Sequence, residues 1–484
     1  MDVLPLSTCP IKPILTFLTI SATISGIPGS MEAYLQKLEA EFTIPKPKLR
    51  ELTDIFQQEL ENGLSRADGM LKDLPTFVYN LPKGSETGKY LTVDLGGTNL
   101  RIGLVELIGS GQFTFKKDSV MIPDELKAGK GREIFSFIAG YIEKFLEHPE
   151  IEAELPLKLG FTFSFPVQQE SLAHGRILGW SKEIDAKDVI GQDAVALLQE
   201  ALHSRGLNIA VEALINDTVG TLLAQIYRDP RTKMSVILGT GSNAAYVENS
   251  SNLSKIKVSD QSSDLTVVNI EWGSFGDYTD ILPSTKFDLI LDQESKNSGL
   301  QRFEKMISGM YLGEIFRLIL IEMFKESYSI PTHPYAIKTK EMSKFHEMFL
   351  DGNYEKCAEI CKEKFGIPES SRSLFVILSR ICELISLRSC HLCAIGITAV
   401  HRYLLKTGAL TESHLFSVAL DGALYQKYPK YSRILQNLVC DMERDNNTNN
   451  KESDSDVCRV VLVMAEDLSS VGAAAAIAAQ LNEQ

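Results

Sequence analysis

The stretch LTVDLGGTNLRIGLVEL, residues 91–107, decides how the chain is read. Two apolar runs flank a turn built from Asp94, Leu95, Gly96, Gly97, Thr98 and Asn99. A plain hairpin needs only one or two special residues at its turn. Glycine lets backbone N–H groups approach a ligand without a Cβ in the way, and bare N–H groups in a tight turn cradle an anion. Thr98 adds a hydroxyl, and Arg101 adds a positive charge nearby. Asp94 repels a phosphate unless a cation sits between them. Magnesium, held through water and one or two carboxylates, fills that role. The turn therefore reads as a phosphate site with Asp94 on its metal side, against the plainer alternative of a tight hairpin.

The arrangement returns at 234–248, MSVILGTGSNAAYVE, where Gly239, Thr240 and Gly241 form the turn and Asn243 follows. A weaker third version, LFSVALDGALYQKYP at 415–429, carries Gly422. The first two are alike enough to predict duplicated halves. Two such turns facing each other across a cleft make a nucleotide site. Neither matches a Walker loop or a GxGxxG fingerprint.

A length of 484 residues allows two or three domains, and 44% hydrophobic with 23% charged residues is ordinary for a soluble globular protein. A net charge of −14 disfavours nucleic acid and anionic membranes as main partners. Eight cysteines are too sparse for a disulfide scaffold. Cys390 and Cys393 form a CxxC and Cys357 and Cys361 lie four apart, a spacing compatible with zinc, but RSCHLCAIGI reads as buried helix. The expectation is reduced structural thiols in a cytoplasmic, reducing compartment. Residues 1–30 include PILTFLTISATISGIPGS, which resembles a weak signal peptide but is too short and polar to span a bilayer. They are expected to be a disordered extension or a start placed too early, with secretion as the alternative. No other stretch reads as a membrane span.

Residues 31–80 read as helical, through MEAYLQKLEAEFTI and PKPKLRELTDIFQQELENGL. Strands follow at 90–107, at GQFTFKKDSVMI and at LKLGFTFSFPV, with helices at GREIFSFIAGYIEKFLEH and VIGQDAVALLQEALHSRG. IAVEALINDTVGTLLAQIY is a strand that becomes a helix at Asp217. Residues 284–410 are mostly helical, and 444–456 are a polar low-complexity loop. The chain closes with the strand VCRVVLVMAE and the alanine-rich helix VGAAAAIAAQ.

Polar residues punctuate these elements. Ser164 ends a strand, Ser181 and Lys182 follow Trp180, and Asn216 and Asp217 sit at a strand-to-helix switch. Asn243 follows the second glycine turn, Glu271 lies in VVNIEWGSFG, and Gln301 and Glu304 lie in LQRFEKM. A polyhydroxylated ligand wants such a set, because each sugar hydroxyl both donates and accepts. Buried amides and carboxylates also reject analogues that lack a hydroxyl. Taken singly, each residue fits a helix cap or a surface position better than a ligand role; Asp217 could simply cap its helix.

Together LGFTFSFPV…GWSK, NDTVGTL, LGTGSNAAYVE and NIEWGSFGD, in order from about residue 31 to 479, resemble the hexokinase family, especially its fungal members. That resemblance implies an α/β, actin-like ATPase (ribonuclease-H-like) fold with two domains around a cleft. It implies a helical segment at 31–88 packing on the large domain, a small domain at 89–216 and a large domain at 217–480, with the C-terminal helix free to return to the small one. It also implies ATP-dependent phosphorylation of a hexose such as D-glucose at the 6-hydroxyl, the first step of glycolysis, with Mg2+. The partners would be hexose and ATP, in a monomer or homodimer.

By the resemblance, Asp217 is the general base, assisted by Lys182. Ser164, Phe165, Ser181, Lys182, Asn216, Asn243, Glu271, Gln301 and Glu304 bind the sugar. Asp94, Leu95, Gly96, Gly97, Thr98, Asn99, Arg101, Gly239, Thr240, Gly241 and Gly422 serve ATP, with Asp94 meeting the metal through water. The chain departs from the family pattern at Ser181, Glu183, Met310, Ala423, Leu468 and Ser470. The last four fall on the nucleotide side. Two alternatives stay open at this point: an N-acetylglucosamine kinase of the same family, and a non-catalytic hexokinase-like sugar sensor.

Overall fold

The computed structural model describes residues 29–481 except 67, 98, 152–155, 181–183, 256–263, 326, 369–370, 412–413 and 448–457. The expectations placed on residues 1–28, Thr98, Ser181, Lys182, Glu183 and most of the polar loop lie outside the described residues.

A two-residue strand β1 (Leu74–Pro75) precedes a first sheet. That sheet comprises β2 (Thr87–Leu95), β3 (Asn99–Gly109), β4 (Gln112–Met121), β5 (Leu157–Phe163) and, after a small hairpin of β6 (Val167–Ser171) and β7 (His174–Ile177), β8 (Ile209–Ile215). The second sheet is built from β9 (Thr232–Leu238), β10 (Ser242–Asn249), β11 (Leu265–Asn269), β12 (Phe416–Asp421) and β13 (Val460–Met464), with β1 added at its edge.

The orders are β4-β3-β2-β5-β8 and β11-β10-β9-β12-β13. In each, the first three strands are antiparallel and the last two join in parallel. The two halves thus repeat one topology, the ribonuclease-H-like sheet of the actin-like ATPase fold, and the chain has two domains around a cleft.

The glycine turns join equivalent strand pairs, β2–β3 and β9–β10. The third glycine stretch is different. β12 runs parallel to β9, and Gly422, at φ 112°, leads into the short helix Ala423–Lys427 rather than back along a strand. It corresponds to the end of β5, not to a hairpin.

Each half ends in a helix, Asp217–Arg228 after β8 and Ser469–Leu481 after β13. These two helices cross at Gly220 and Gly472, each the fourth residue of its helix. A Cβ on Gly472 would fall inside Gly220 O, and one on Gly220 would meet Ser469 O. Only glycine at both positions allows this approach. The alanine-rich helix also packs on β2 and β5, so it lies against both halves.

The helices Gly29–Phe42 and Lys46–Ser65 pack on the long helix Arg372–Lys406 of the second half. The latter starts with Pro47 in its first turn and buries Leu49, Leu52, Phe56, Leu60 and Leu64, an apolar stripe at helical spacing. Phe56 packs edge-on against Trp272 and near Phe275 and Phe303.

Three boundaries move. Residues 68–80 are not helical: a turn and bend at 68–71 lead into β1, and an irregular segment follows it. Gly29 and Ser30 belong to the first helix rather than to the extension. The helix Tyr431–Asn447 continues into the start of the polar loop.

The cysteines also differ in part. Cys390 and Cys393 are buried in the helix Arg372–Lys406 beside Tyr431. Cys440 and Cys458 form a disulfide, Cα to Cα 5.3 Å. The helix carrying Cys440 lies along β13, so residues 18 apart in sequence meet in space.

Candidate active site

β2 is buried along its second half and delivers Asp94 to the base of the first turn. Asp94 is 6% exposed, and its Oδ2 accepts from Arg101 Nη1 at 3.4 Å and from Ser469 Oγ at 3.2 Å. The turn is closed by Gly96 N–H donating to Asn99 O at 3.1 Å, and Ser164 N–H donates to Leu95 O at 3.2 Å.

Arg101 also lies 3.7 Å from Asp467, which pairs with Lys117 at 2.5 Å. Burial, the largest influence on Asp467, pushes its carboxyl up; the Lys117 hydrogen bond and the Arg101 and Lys117 charges together hold it below the ordinary range.

The second turn is closed by Gly239 N–H donating to Gly241 O at 3.0 Å. Three other segments press on it. Gly309 N–H donates to Gly239 O at 2.8 Å, and Met310 N–H donates to Thr240 O at 3.0 Å. The Glu304 carboxylate accepts from Ser242 N–H at 2.8 Å. A Cβ on Gly422 would stand 2.6 Å from Gly239 N.

Asp421 closes this end. Its carboxyl is pushed up to about 6 by burial first, then by the charges of Asp467 and Asp217, against the Gly422 N–H that favours its ionised form. Carboxylates beside two glycine turns suit a phosphate chain accompanied by a divalent cation. Among the described residues no three His, Cys, Asp or Glu side chains converge to hold a metal by themselves.

Between the sheets lies a cleft lined from both halves by Phe163, Phe165, Asn216, Asn269, Glu271 and the segment 74–76. Asn216 caps the helix Asp217–Arg228 by accepting from Thr218 N–H at 2.9 Å. Asp217 follows as the first helical residue, its Oδ1 2.8 Å from Thr218 N.

Asn243 Nδ2 donates to Asn269 Oδ1 at 2.7 Å and to Glu271 Oε1 at 3.2 Å, and lies 3.5 Å from Asn216 Oδ1. Asn269 Nδ2 donates to Glu271 Oε1 at 2.8 Å. Glu271 and Gln301 both sit in the left-handed region, at φ 56° and 57°, where non-glycine residues are strained. Asp277 fixes the second of these by accepting from Gln301 N and Arg302 N, each at 2.9 Å. Phe165 is held by Phe163 and Trp180 rings at 5.1 and 4.9 Å.

The fold therefore brings Asn216, Asp217, Asn243 and Glu271 together, with Glu304 on the second turn and Gln301 close by against Gly273. Sequence reasoning missed Asn269, the segment 74–76, Asp421 and the Asp467–Lys117 pair. Asn269 had a signal: it lies two residues before Glu271 at the end of a strand, hence on the same face.

Of the departures, Met310 and Ala423 are exposed. Leu468 is instead buried in a core with Tyr90, Val105 and Val471, so it packs the seam between halves.

Duplicated ribonuclease-H-like sheets, with paired glycine turns and carboxylates at the cleft, define a phosphotransferase of the actin-like ATPase class. Family profiles described as hexokinase match residues 34–227 and 233–479. The chain is 38% identical to a hexokinase of Schwanniomyces occidentalis over 470 residues, covering 95% of this chain and 94% of that one. It is 36% identical to hexokinase-2 of Saccharomyces cerevisiae over 472 residues, covering 93% of each. A solved hexokinase from Schistosoma mansoni, complexed with glucose, superposes with a TM-score of 0.81 at 30% identity, covering 93% of this chain and 99% of that one. The chain belongs to the hexokinase family and is an ATP-dependent kinase that phosphorylates a hexose at its 6-hydroxyl. No described helix is long and apolar enough to cross a membrane.

Proposed function

We propose that D-glucose is the hexose and that Asp217 is the base. The supporting observation is the position of Asp217 at a helix start, with Asn216 on one side and the Asn243–Asn269–Glu271 amide–carboxylate network across the cleft. The glucose bound to the Schistosoma mansoni relative supports the choice of sugar.

In this reading the sugar hydroxyls pair with Ser164, Phe165 backbone, Ser181, Asn216, Asn243, Glu271, Gln301 and Glu304. O6 attacks the γ-phosphorus, its proton passes to an Asp217 carboxylate oxygen, and the bond to the β-phosphate bridging oxygen breaks to release ADP. A sugar hydroxyl is a weak nucleophile, and ATP must be kept from water; a cleft between two domains serves both needs. Lys182 and Arg101 offset charge on the phosphates. The turn residues Gly96, Gly97, Thr98, Asn99, Gly239, Thr240, Gly241 and Gly422 hold the phosphate chain. Asp94 would hold Mg2+ through water, and the ion would supply charge neutralisation for the phosphate chain.

We assign the small domain to 89–216 and the large one to 217–480, and place the enzyme in the cytoplasm. Tagged full-length protein that enters the secretory pathway would overturn that location.

A coupled ADP-release assay with glucose, fructose, mannose, glucosamine and N-acetylglucosamine tests the substrate. Glucose is expected to give the highest kcat/KM; preference for N-acetylglucosamine, or sugar binding without ADP release, overturns the reading. Asp217→Ala is expected to lower kcat by roughly 10²–10⁴-fold, with glucose binding largely kept. Substantial residual turnover counts against the base role.

A further inference from the structure

Glu304 enters the site by the family resemblance as a sugar ligand, yet its carboxylate is engaged by the other substrate's turn. Oε2 accepts from Ser242 N–H at 2.8 Å, immediately after the Gly239, Thr240 and Gly241 turn. The fit is close: a Cβ on Gly241 would stand 2.6 Å from Glu304 Oε2.

The same short helix, Arg302–Ile307, continues the brace. Ser308 N–H donates to Glu304 O at 3.0 Å, and the next two residues, Gly309 and Met310, donate to Gly239 O and Thr240 O. A Cβ on Gly309 would lie 2.6 Å from Gly239 O, so this segment rests directly on the turn. Below it, Trp272 Nε1 donates to Ser242 Oγ at 2.9 Å, fixing the residue whose amide Glu304 receives. One acid thus touches the backbone that shapes the phosphate cradle.

Resting on the assignment of the cleft to ATP and glucose, we propose that Glu304 is a positioning residue for the nucleotide turn, independent of any contact it makes with sugar. A charge-assisted hydrogen bond to a backbone amide is stronger than a neutral one. Losing it leaves the 239–242 turn free to leave the shape that presents its amides to a phosphate. Simple electrostatics predicts the reverse, since removing a carboxylate near phosphates should tighten nucleotide binding.

The test is calorimetric titration of the full-length protein with AMP-PNP and magnesium, without sugar. A sugar-only role for Glu304 leaves that affinity unchanged. Glu304→Ala is expected to weaken AMP-PNP about tenfold. Glu304→Gln, which keeps an acceptor and loses the charge, is expected to stay within about threefold. Glu271→Gln alters a proposed sugar ligand that accepts from Asn243 and Asn269; it should weaken glucose with a much smaller effect on AMP-PNP than Glu304→Ala.

Should Glu304→Ala fail to fold, Glu304→Asp applies the same test, because it keeps the charge on a side chain too short to reach Ser242 N–H; weakening of AMP-PNP is again expected. Unchanged AMP-PNP affinity in Glu304→Ala or, failing that, Glu304→Asp overturns this proposal alone. Tighter binding in both Glu304→Ala and Glu304→Gln overturns it in favour of electrostatics. Wild-type protein that binds glucose or AMP-PNP in neither case overturns the underlying assignment as well.

Discussion

The two glycine turns descend from one pattern and join equivalent strands, yet they are held in different ways. The first, between β2 and β3, is closed by its own Gly96–Asn99 bond and by Ser164. Its chemistry comes from side chains, the buried Asp94 and the partly exposed Arg101. The second, between β9 and β10, is gripped by three separate segments, through Glu304, through 309–310 and through Gly422. Similar loops thus carry different fittings: one presents charged side chains, and the other has its backbone braced by neighbouring segments.

Substitutions that probe backbone space should separate the turns most sharply. Gly422→Ala places a Cβ against Leu238 and Gly239 at a φ of 112° that side chains rarely adopt, and should cost about 2–4 kcal/mol with a loss of ATP kcat/KM of roughly 100-fold. Gly96→Ala meets only Asn99 O at 3.4 Å and should cost no more than about 1 kcal/mol. Thermal unfolding and ATP kinetics on the pair would reveal it; equal damage at both sites would erase the distinction.

Charge removal should show the opposite bias. Arg101→Ala should raise the KM for ATP roughly tenfold, with the difference shrinking in high salt. Met310→Ala, whose contact with the second turn is through its backbone N–H, should change KM by less than about threefold. A larger effect from Met310 than from Arg101 would reverse the comparison.

Asn269→Ala acts on the sugar network next to the second turn. It should raise the KM for glucose by about five- to tenfold with the KM for ATP unchanged. A parallel rise in both would mean that Asn269 supports the cradle rather than the sugar.

The smallest effect concerns pH. The Asp421 carboxyl is raised from 3.8 to about 6, so the fold favours its protonated form. That contribution is full below pH 3.8 and is lost as pH rises through about 6. Asp421→Asn should therefore gain stability relative to wild type between pH 4 and pH 7, by up to about 2 kcal/mol. A stability difference that stays flat across this window would contradict the assignment.

Much of the fold was legible because its signals are local. Strand alternation and the bare glycine turns announce β2–β3 and β9–β10, and NDTVGTL marks the strand-to-helix switch at Asp217. The third glycine stretch misled because one glycine after a strand reads alike before a hairpin or a helix; only the parallel pairing of β12 with β9 separates them. The segment 74–76 has no periodicity, and its place in the cleft comes from β1 joining the edge of the second sheet. Asp421 and Asp467 meet the first half only through tertiary packing, and the Cys440–Cys458 pair only through the neighbouring helix and strand. Nothing local in the sequence encodes those encounters.

The crossing of the two glycines, Gly220 and Gly472, has a mechanical consequence. There the backbones of two helices touch with no side chain between them, so a rocking motion of one half against the other would have a short lever arm at that contact. Asp217 is three residues from Gly220, about 4.5 Å along the helix, and would travel little in such a motion while the far rims of the sheets swept through larger arcs. The proposed proton acceptor would then sit near the hub, with the substrates brought to it.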